Sequence, residues 1–141
     1  MTNKLQGLLL GYIKENNPEL LLQLEQDDAL HIWILEKIRE VELVLNHAKP
    51  SLLSETDYME FLTADLKPSK FRYVRDLFET EFRDDFERMR EAGTLSYELV
   101  NIVSACHELF EDMPIIEDME NPHLDHAVAV VINDYLQSAF E

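Results

Sequence analysis

One stretch, residues 69–91, constrains the fold more than any other. Its large apolar side chains recur at steps of three or four residues: Phe71, Val74, Phe78, Phe82, Phe86 and Met89. That spacing is the period of one face of an α-helix, so the sequence predicts a long central helix with an aromatic stripe. Ser69 can cap the start of this helix, and Gly93 closes its end. The rest of the chain is expected to cover the stripe.

The remaining apolar residues also follow a helical period, with breaks at prolines and polar pairs. Besides the central helix, the predicted helices span residues 3–15, 18–24, 28–48, 55–66 and 95–112, and a last helix starts at Pro122. Only three glycines and five prolines occur, and no segment shows a sustained strand alternation. The sequence therefore predicts an all-α fold, a single-domain bundle of six or seven helices with short loops over residues 1–141.

Charge is distributed unevenly along the chain. The formal net charge is −17. Seven of the twelve basic residues lie between Lys67 and Arg90, whereas residues 91–141 hold eleven Asp and Glu and no Lys or Arg. Such a charge opposes binding to nucleic acid and to anionic lipid, and it favours solubility and basic partners. We therefore expect no nucleic-acid partner and no membrane association.

Two further features bear on the cellular compartment. Cys106 is the only cysteine, so the chain cannot form an internal disulfide, which favours a reducing compartment. The apolar run near the N-terminus is interrupted by Gly7 and Gly11 and ends at Lys14, so it is too short to span a bilayer and has no small-residue cleavage site. A cytoplasmic location is the expectation.

Three places in the chain resemble a small helical family of Bacteroidetes, domain of unknown function eighteen ninety-six, often found among genes of conjugative transposons. The opening pattern is carried by Leu10, Tyr12, Ile13, Lys14, Glu15, Pro18 and Glu19. The middle segment is carried by Ser69, Lys70, Val74, Leu77, Glu81 and Phe82. The closing helix is carried by Asp118, Pro122, Leu124, Ile132, Tyr135 and Leu136. The resemblance implies an all-helical accessory protein of a mobile element, and it supplies no catalytic, cofactor or metal residues.

His123 and His126 suggest one kind of chemistry. Histidines three residues apart on a helix can share a metal ion, with Glu120 or Asp125 as a third ligand. A metal-dependent hydrolase is therefore one alternative function. The other interpretation is a polar, solvated first turn whose acids suit the helix dipole, and it leaves the chain without a metal site. We adopt the second interpretation and expect no cofactor.

Two other candidates have structural interpretations. Cys106 falls on an apolar helix face, which indicates a buried, unreactive thiol rather than a nucleophile. A basic stretch comprises Lys67, Lys70, Arg72 and Arg75, interleaved with Phe71 and Tyr73. These residues could contact phosphate or an acidic partner, but the net charge favours a salt-paired start of the central helix.

The acidic C-terminal third suggests the leading hypothesis. Its acids around Pro114 are Glu108, Glu111, Asp112, Glu117, Asp118 and Glu120. They either keep the protein soluble or bind a basic partner, and an acidic imitation of DNA that inhibits a DNA-binding protein is an alternative. Ile115, Ile116 and Met119 are expected to pack onto the core. The sequence thus favours a noncatalytic helical interaction protein that binds another protein through this third, and it leaves a homodimer open.

Overall fold

The computed structural model describes residues 2–45 and 54–140, and these residues form nine α-helices and no strand. The helices are α1 (Thr2–Asn16), α2 (Pro18–Gln26), α3 (Leu30–Leu45), α4 (Glu55–Thr63), α5 (Lys70–Glu81), α6 (Arg83–Ala92), α7 (Leu95–Ala105), α8 (His107–Asp112) and α9 (Pro122–Phe140). A 3₁₀ turn, Ala64–Leu66, follows α4. The predicted all-α fold is confirmed. The end of the predicted helix 28–48 lies outside the described residues.

The chain divides into two compact units. The amino-terminal unit is Met1–Lys67 and the carboxy-terminal unit is Pro68–Glu141. Each has a hydrophobic core formed by its own residues. The aromatic stripe therefore organises the carboxy-terminal unit. The single domain expected over residues 1–141 stays a prediction.

The amino-terminal unit packs α1 against α2, α3 and α4. Its central buried cluster consists of Leu5, Leu9, Ile34, Ile38 and Leu62. The predicted break between α1 and α2 is confirmed, since α1 ends at Asn16 and α2 begins at Pro18. The Asn17 side chain donates to the Leu66 carbonyl at 3.4 Å, which ties this corner to the turn after α4.

The carboxy-terminal unit packs α5 against α6, α7 and α9, and α8 bridges α7 and α9. Its buried core contains Phe71, Val74, Phe78, Phe86, Met89, Leu99, Ile102, Val103, Cys106, Phe110, Leu124, Val128 and Ile132. Every member of the predicted stripe except the half-buried Phe82 is therefore a core residue. The stripe's function in packing follows directly from its helical spacing.

Two predicted helices are each divided in the structure, which is why nine helices replace six or seven. The central helix breaks at Phe82, whose φ of −133° and ψ of 50° leave the helical region. Its ring stacks on Phe78, with centroids 5.9 Å apart. The helix predicted over 95–112 breaks at Cys106, with φ −90° and ψ 4°. Neither break has a glycine or proline, so packing rather than local sequence determines both.

Several helix ends follow their sequence signals. Ser54 and Asp57 form a capping box at α4, and the hydrogen bond from the Ser54 backbone lowers the pKa of Asp57. Ser69 accepts a hydrogen bond from the Arg72 backbone at 3.1 Å, and Asn121 accepts one from Leu124 at 3.2 Å. The Ser69 contact confirms the predicted cap of α5, and the Asn121 contact caps α9 at its predicted start.

Two other helices, α2 and α6, end in the same geometry. After α6, Thr94 donates to the Met89 carbonyl and Gly93, at φ 76°, donates to the Arg90 carbonyl. After α2, Ala29 donates to the Leu24 carbonyl, and the residue with positive φ is Asp28, at 54°. Both ends are Schellman motifs, in which a residue with positive φ lets the chain leave the helix.

None of the helices in the described parts of the chain has the length and apolar content needed to cross a membrane.

Replacing glycine with alanine should have opposite effects on stability at Gly93 and Gly11. A Cβ at Gly93 meets no atom within 4 Å, so Gly93→Ala should cost about 1 kcal/mol through its positive φ alone. Gly11, inside α1, also has free space around it, and Gly11→Ala should stabilise by about 0.5–1 kcal/mol because alanine is the better helix former. Urea unfolding of both variants, followed by circular dichroism, measures these changes. A Gly93→Ala variant as stable as the native protein would contradict the helix-end argument, and destabilisation by Gly11→Ala would contradict the helix-propensity argument.

Candidate functional site

The six acids of the C-terminal third that were singled out from the sequence lie within residues 108–120, which we call the acidic segment. All six, Glu108, Glu111, Asp112, Glu117, Asp118 and Glu120, are exposed. The segment covers most of α8 and the loop that leads to α9. His107, just before it, is 3.0 Å from the Glu111 carboxylate. The chain contains no Lys or Arg beyond Arg90, so no cation follows in the sequence to neutralise these acids.

The apolar residues of the acidic segment divide into two groups. Met113 and Ile115 are partly buried and pack against the core, which confirms the expectation for Ile115. Ile116 and Met119 are instead 58% and 65% exposed, which corrects the expectation that they pack onto the core. The Met119 amide donates to the Ile116 carbonyl, and Asp118 has a φ of 62°, so a tight turn holds these two side chains outside the core.

His123 and His126 are both exposed in the first turns of α9. Asp125, which the sequence offered as a third metal ligand, accepts a hydrogen bond from the Tyr73 hydroxyl. Among residues 2–45 and 54–140, no three His, Cys, Asp or Glu side chains are grouped so that they could hold a metal ion. The metal-dependent hydrolase stays a prediction.

Two carboxylates of the carboxy-terminal unit are paired with tyrosines. Tyr73 donates to Asp125, and burial followed by this hydrogen bond raises the pKa of Tyr73. Tyr135 donates to Glu98, and burial followed by this hydrogen bond raises the pKa of Tyr135 in the same way. Both arrangements join α9 to another helix of the unit. They are structural links, since a neutral phenol donating to a carboxylate satisfies both groups.

The basic stretch makes contacts within its own unit. The Lys70 ammonium lies 5.8 Å from the Phe110 ring centroid, and the Arg75 guanidinium lies 5.5 Å from that of Phe86. Arg75 also lies 3.7 Å from the Asp76 carboxylate and 4.0 Å from that of Glu79. These contacts support the salt-paired helix start. Lys67 belongs to the amino-terminal unit.

Cys106 is fully buried at the junction of α7 and α8, as the sequence predicted. Burial raises the pKa of its thiol to about 11. A thiol held protonated and away from solvent is a poor nucleophile.

The amino-terminal unit contains a cleft of about 550 Å³ that the sequence did not reveal. It opens between α1, the end of α2 and the start of α3. Its apolar lining consists of Leu10, Leu24, Leu30 and Ile34, of which Leu24 and Ile34 are buried. The remaining lining is Asn3, Gln6, Gly7, Glu25, Asp28 and His31. No periodic signal identifies such a site, because its residues come from three helices that each present an ordinary amphipathic pattern.

Comparison of the chain with protein-family models, curated proteins and solved structures gives no match in any of the three. The resemblance to the Bacteroidetes family stays a prediction.

Removing the Tyr73 hydroxyl should weaken the carboxy-terminal unit. Tyr73→Phe keeps the edge-on contact with Phe110 but leaves the half-buried Asp125 without its donor, which should cost about 1–2 kcal/mol. Tyr97→Phe is the matched control, because Tyr97 is 70% exposed, and it should change stability by less than about 0.5 kcal/mol. Urea unfolding monitored by circular dichroism measures both. Equal effects would show that the Tyr73–Asp125 hydrogen bond contributes nothing.

Cys106 should react slowly with a thiol reagent such as DTNB. A pKa of about 11, two units above the ordinary 9.0, lowers the thiolate fraction at pH 8 about 100-fold, and burial slows the reaction further. The measurement compares reaction rates of native and urea-unfolded protein at that pH. A native rate equal to the unfolded rate would mean that Cys106 is accessible.

Proposed function

We propose that the protein is a noncatalytic interaction module whose acidic segment binds another protein with a basic, partly apolar surface. The observation that carries the proposal is the turn at residues 116–119. It exposes Ile116 and Met119 beside Glu117, Asp118 and Glu120. A binding surface needs both components, because charge steers and selects a partner while desolvated apolar contacts supply much of the affinity.

Local electrostatics support this proposal. Residues 91–141 hold eleven Asp and Glu and no Lys or Arg, whereas the cationic groups shown near the acidic segment are His107, beside Glu111, and Lys70, on the ring of Phe110. Acids outnumber these cationic groups, so a basic partner would meet a net negative field. Association should be fast at low salt and should slow as ionic strength rises.

The exposed pair also favours a protein partner of mixed character over simple imitation of DNA. A phosphate array offers charge at regular spacing and no apolar contact, whereas Ile116 and Met119 offer apolar surface at the centre of the acids. The DNA-mimic alternative makes a distinct prediction, namely that duplex DNA displaces the partner from this protein.

Charge reversal should abolish capture of the partner. The triple variant Glu117→Lys, Asp118→Lys and Glu120→Lys changes the formal charge from −17 to −11, since each of three substitutions adds two units. We expect recovery of the partner from an extract of the source cells to fall at least about tenfold, because loss of charge complementarity of about 1.4 kcal/mol or more has that effect.

Matched controls distinguish an effect of this surface on partner recovery from an effect of the overall charge. Glu36→Lys, Glu40→Lys and Glu60→Lys reverse three exposed acids of the amino-terminal unit with the same charge change, and recovery should persist. Ile116→Ser with Met119→Ser should lower recovery at constant charge, whereas Ile32→Ser with Leu43→Ser, also exposed, should not. Unchanged recovery with the Glu117, Asp118 and Glu120 variant would refute the proposal. The resemblance to the mobile-element family suggests examining partners encoded by such elements first.

A further inference from the structure

The cleft of the amino-terminal unit has an apolar interior and a negatively charged edge. Its volume of about 550 Å³ is within the range of small-molecule sites. Leu24 and Ile34 are buried and Leu10 and Leu30 are half-buried, so the interior offers apolar contact. Among the described residues that line it are two carboxylates, Glu25 and Asp28, both exposed, and no lysine or arginine.

Gly7 keeps one wall of this cleft open. It lies inside α1, where glycine is less favourable than alanine. A Cβ at Gly7 would meet no atom within 4 Å, so close packing does not require glycine there. The missing side chain enlarges the space between α1 and the start of α3.

The two carboxylates are available to a ligand. The neighbouring Asp27 accepts a hydrogen bond from Gln23 at 3.0 Å. Glu25 and Asp28, by contrast, form no ion pair with any lysine or arginine in the described part of the chain. Asp28 is held by the Schellman motif after α2, at a position of positive φ that glycine or asparagine would occupy more easily. Its carboxylate thus extends from hydrogen-bonded backbone at the edge of the cleft.

We propose that this cleft binds a small organic cation, a protonated amine attached to an apolar chain or ring. The apolar part would displace water from Leu10, Leu24, Leu30 and Ile34, and the ammonium group would donate charge-assisted hydrogen bonds to Glu25 and Asp28. Anions of the same shape are repelled by these carboxylates, and neutral analogues lose the charged contact. This site is separate from the acidic segment, and it extends the protein's function beyond binding of a basic protein.

Three probes of one size test the proposal on the full chain: hexylammonium, hexanol and hexanoate. Binding is followed by chemical shifts of leucine and isoleucine methyl groups in NMR titrations. Hexylammonium should shift the Leu24 and Ile34 methyls and bind about tenfold more tightly than hexanol, since a charge-assisted contact contributes at least that factor. Hexanoate should bind more weakly than hexanol.

Variants distinguish binding in the cleft from nonspecific attraction of the cation to the acidic protein surface. Gly7→Leu adds a side chain to the wall of the cleft, at a position where a Cβ meets no atom within 4 Å, and it should abolish binding of hexylammonium and hexanol. Gly11→Leu, in the same helix but outside the lining, should leave both unchanged. Glu25→Gln with Asp28→Asn should lower hexylammonium affinity about tenfold and leave hexanol unchanged, because asparagine accepts positive φ. Circular dichroism checks that each variant is folded.

Two results would overturn the proposal. Hexylammonium binding that survives in Gly7→Leu would show that it is attracted to the acidic surface and not to the cleft. An affinity for hexylammonium no greater than that for hexanol would show that Glu25 and Asp28 do not recognise the cation.

Discussion

Burial of the aromatic side chains of α5 and α6 is the constraint on which the carboxy-terminal unit depends. Phe78 and Phe86 are fully buried with centroids 6.1 Å apart, and removing such a ring from a core typically costs about 3–5 kcal/mol. The break at Phe82 lets α5 and α6 adopt different directions while both rings stay in the core. Helices α7, α8 and α9 each pack one side against this core, and the opposite side of each helix is left exposed to solvent. The acids of α8 are therefore exposed because another side of this helix, through Phe110, is buried in the core.

The sequence predicted those features that depend on local chemistry. The break between Asn16 and Pro18, the cap at Ser69 and the helix end at Gly93 occur as expected, since each residue acts through its own backbone or its near neighbours. The breaks at Phe82 and Cys106 could not be predicted, because both residues fit a continuous helical period and depart from it only to satisfy tertiary packing. A helical wheel shows which residues share one face of a helix. It does not show where packing interrupts the helix.

The two candidate sites also differ in how far the sequence predicts them. The composition of the acidic segment is visible in the sequence, but apolar residues in an acidic loop are as consistent with burial as with exposure. Only the turn at 116–119 separates Ile115 from Ile116. The cleft was not foreseen at all, since Gly7 carries a signal only once the structure shows that no atom fills the space beside it. The absence of a side chain at Gly7 can be interpreted from the structure but not from the sequence alone.

The tyrosine pairs explain how two half-buried acids of the carboxy-terminal unit are satisfied without a lysine or arginine partner. Asp125 and Glu98 lie half-buried on α9 and α7, where an unpartnered carboxylate would be costly. A lysine or arginine would satisfy them and would also neutralise part of the local charge, whereas the hydroxyls of Tyr73 and Tyr135 satisfy them and leave the charge in place. The unit thus obtains structural links without reducing its negative field. That choice of donor makes an exposed acidic surface compatible with a stable core, because Asp125 and Glu98 are satisfied by neutral groups that cancel none of the surrounding negative charge.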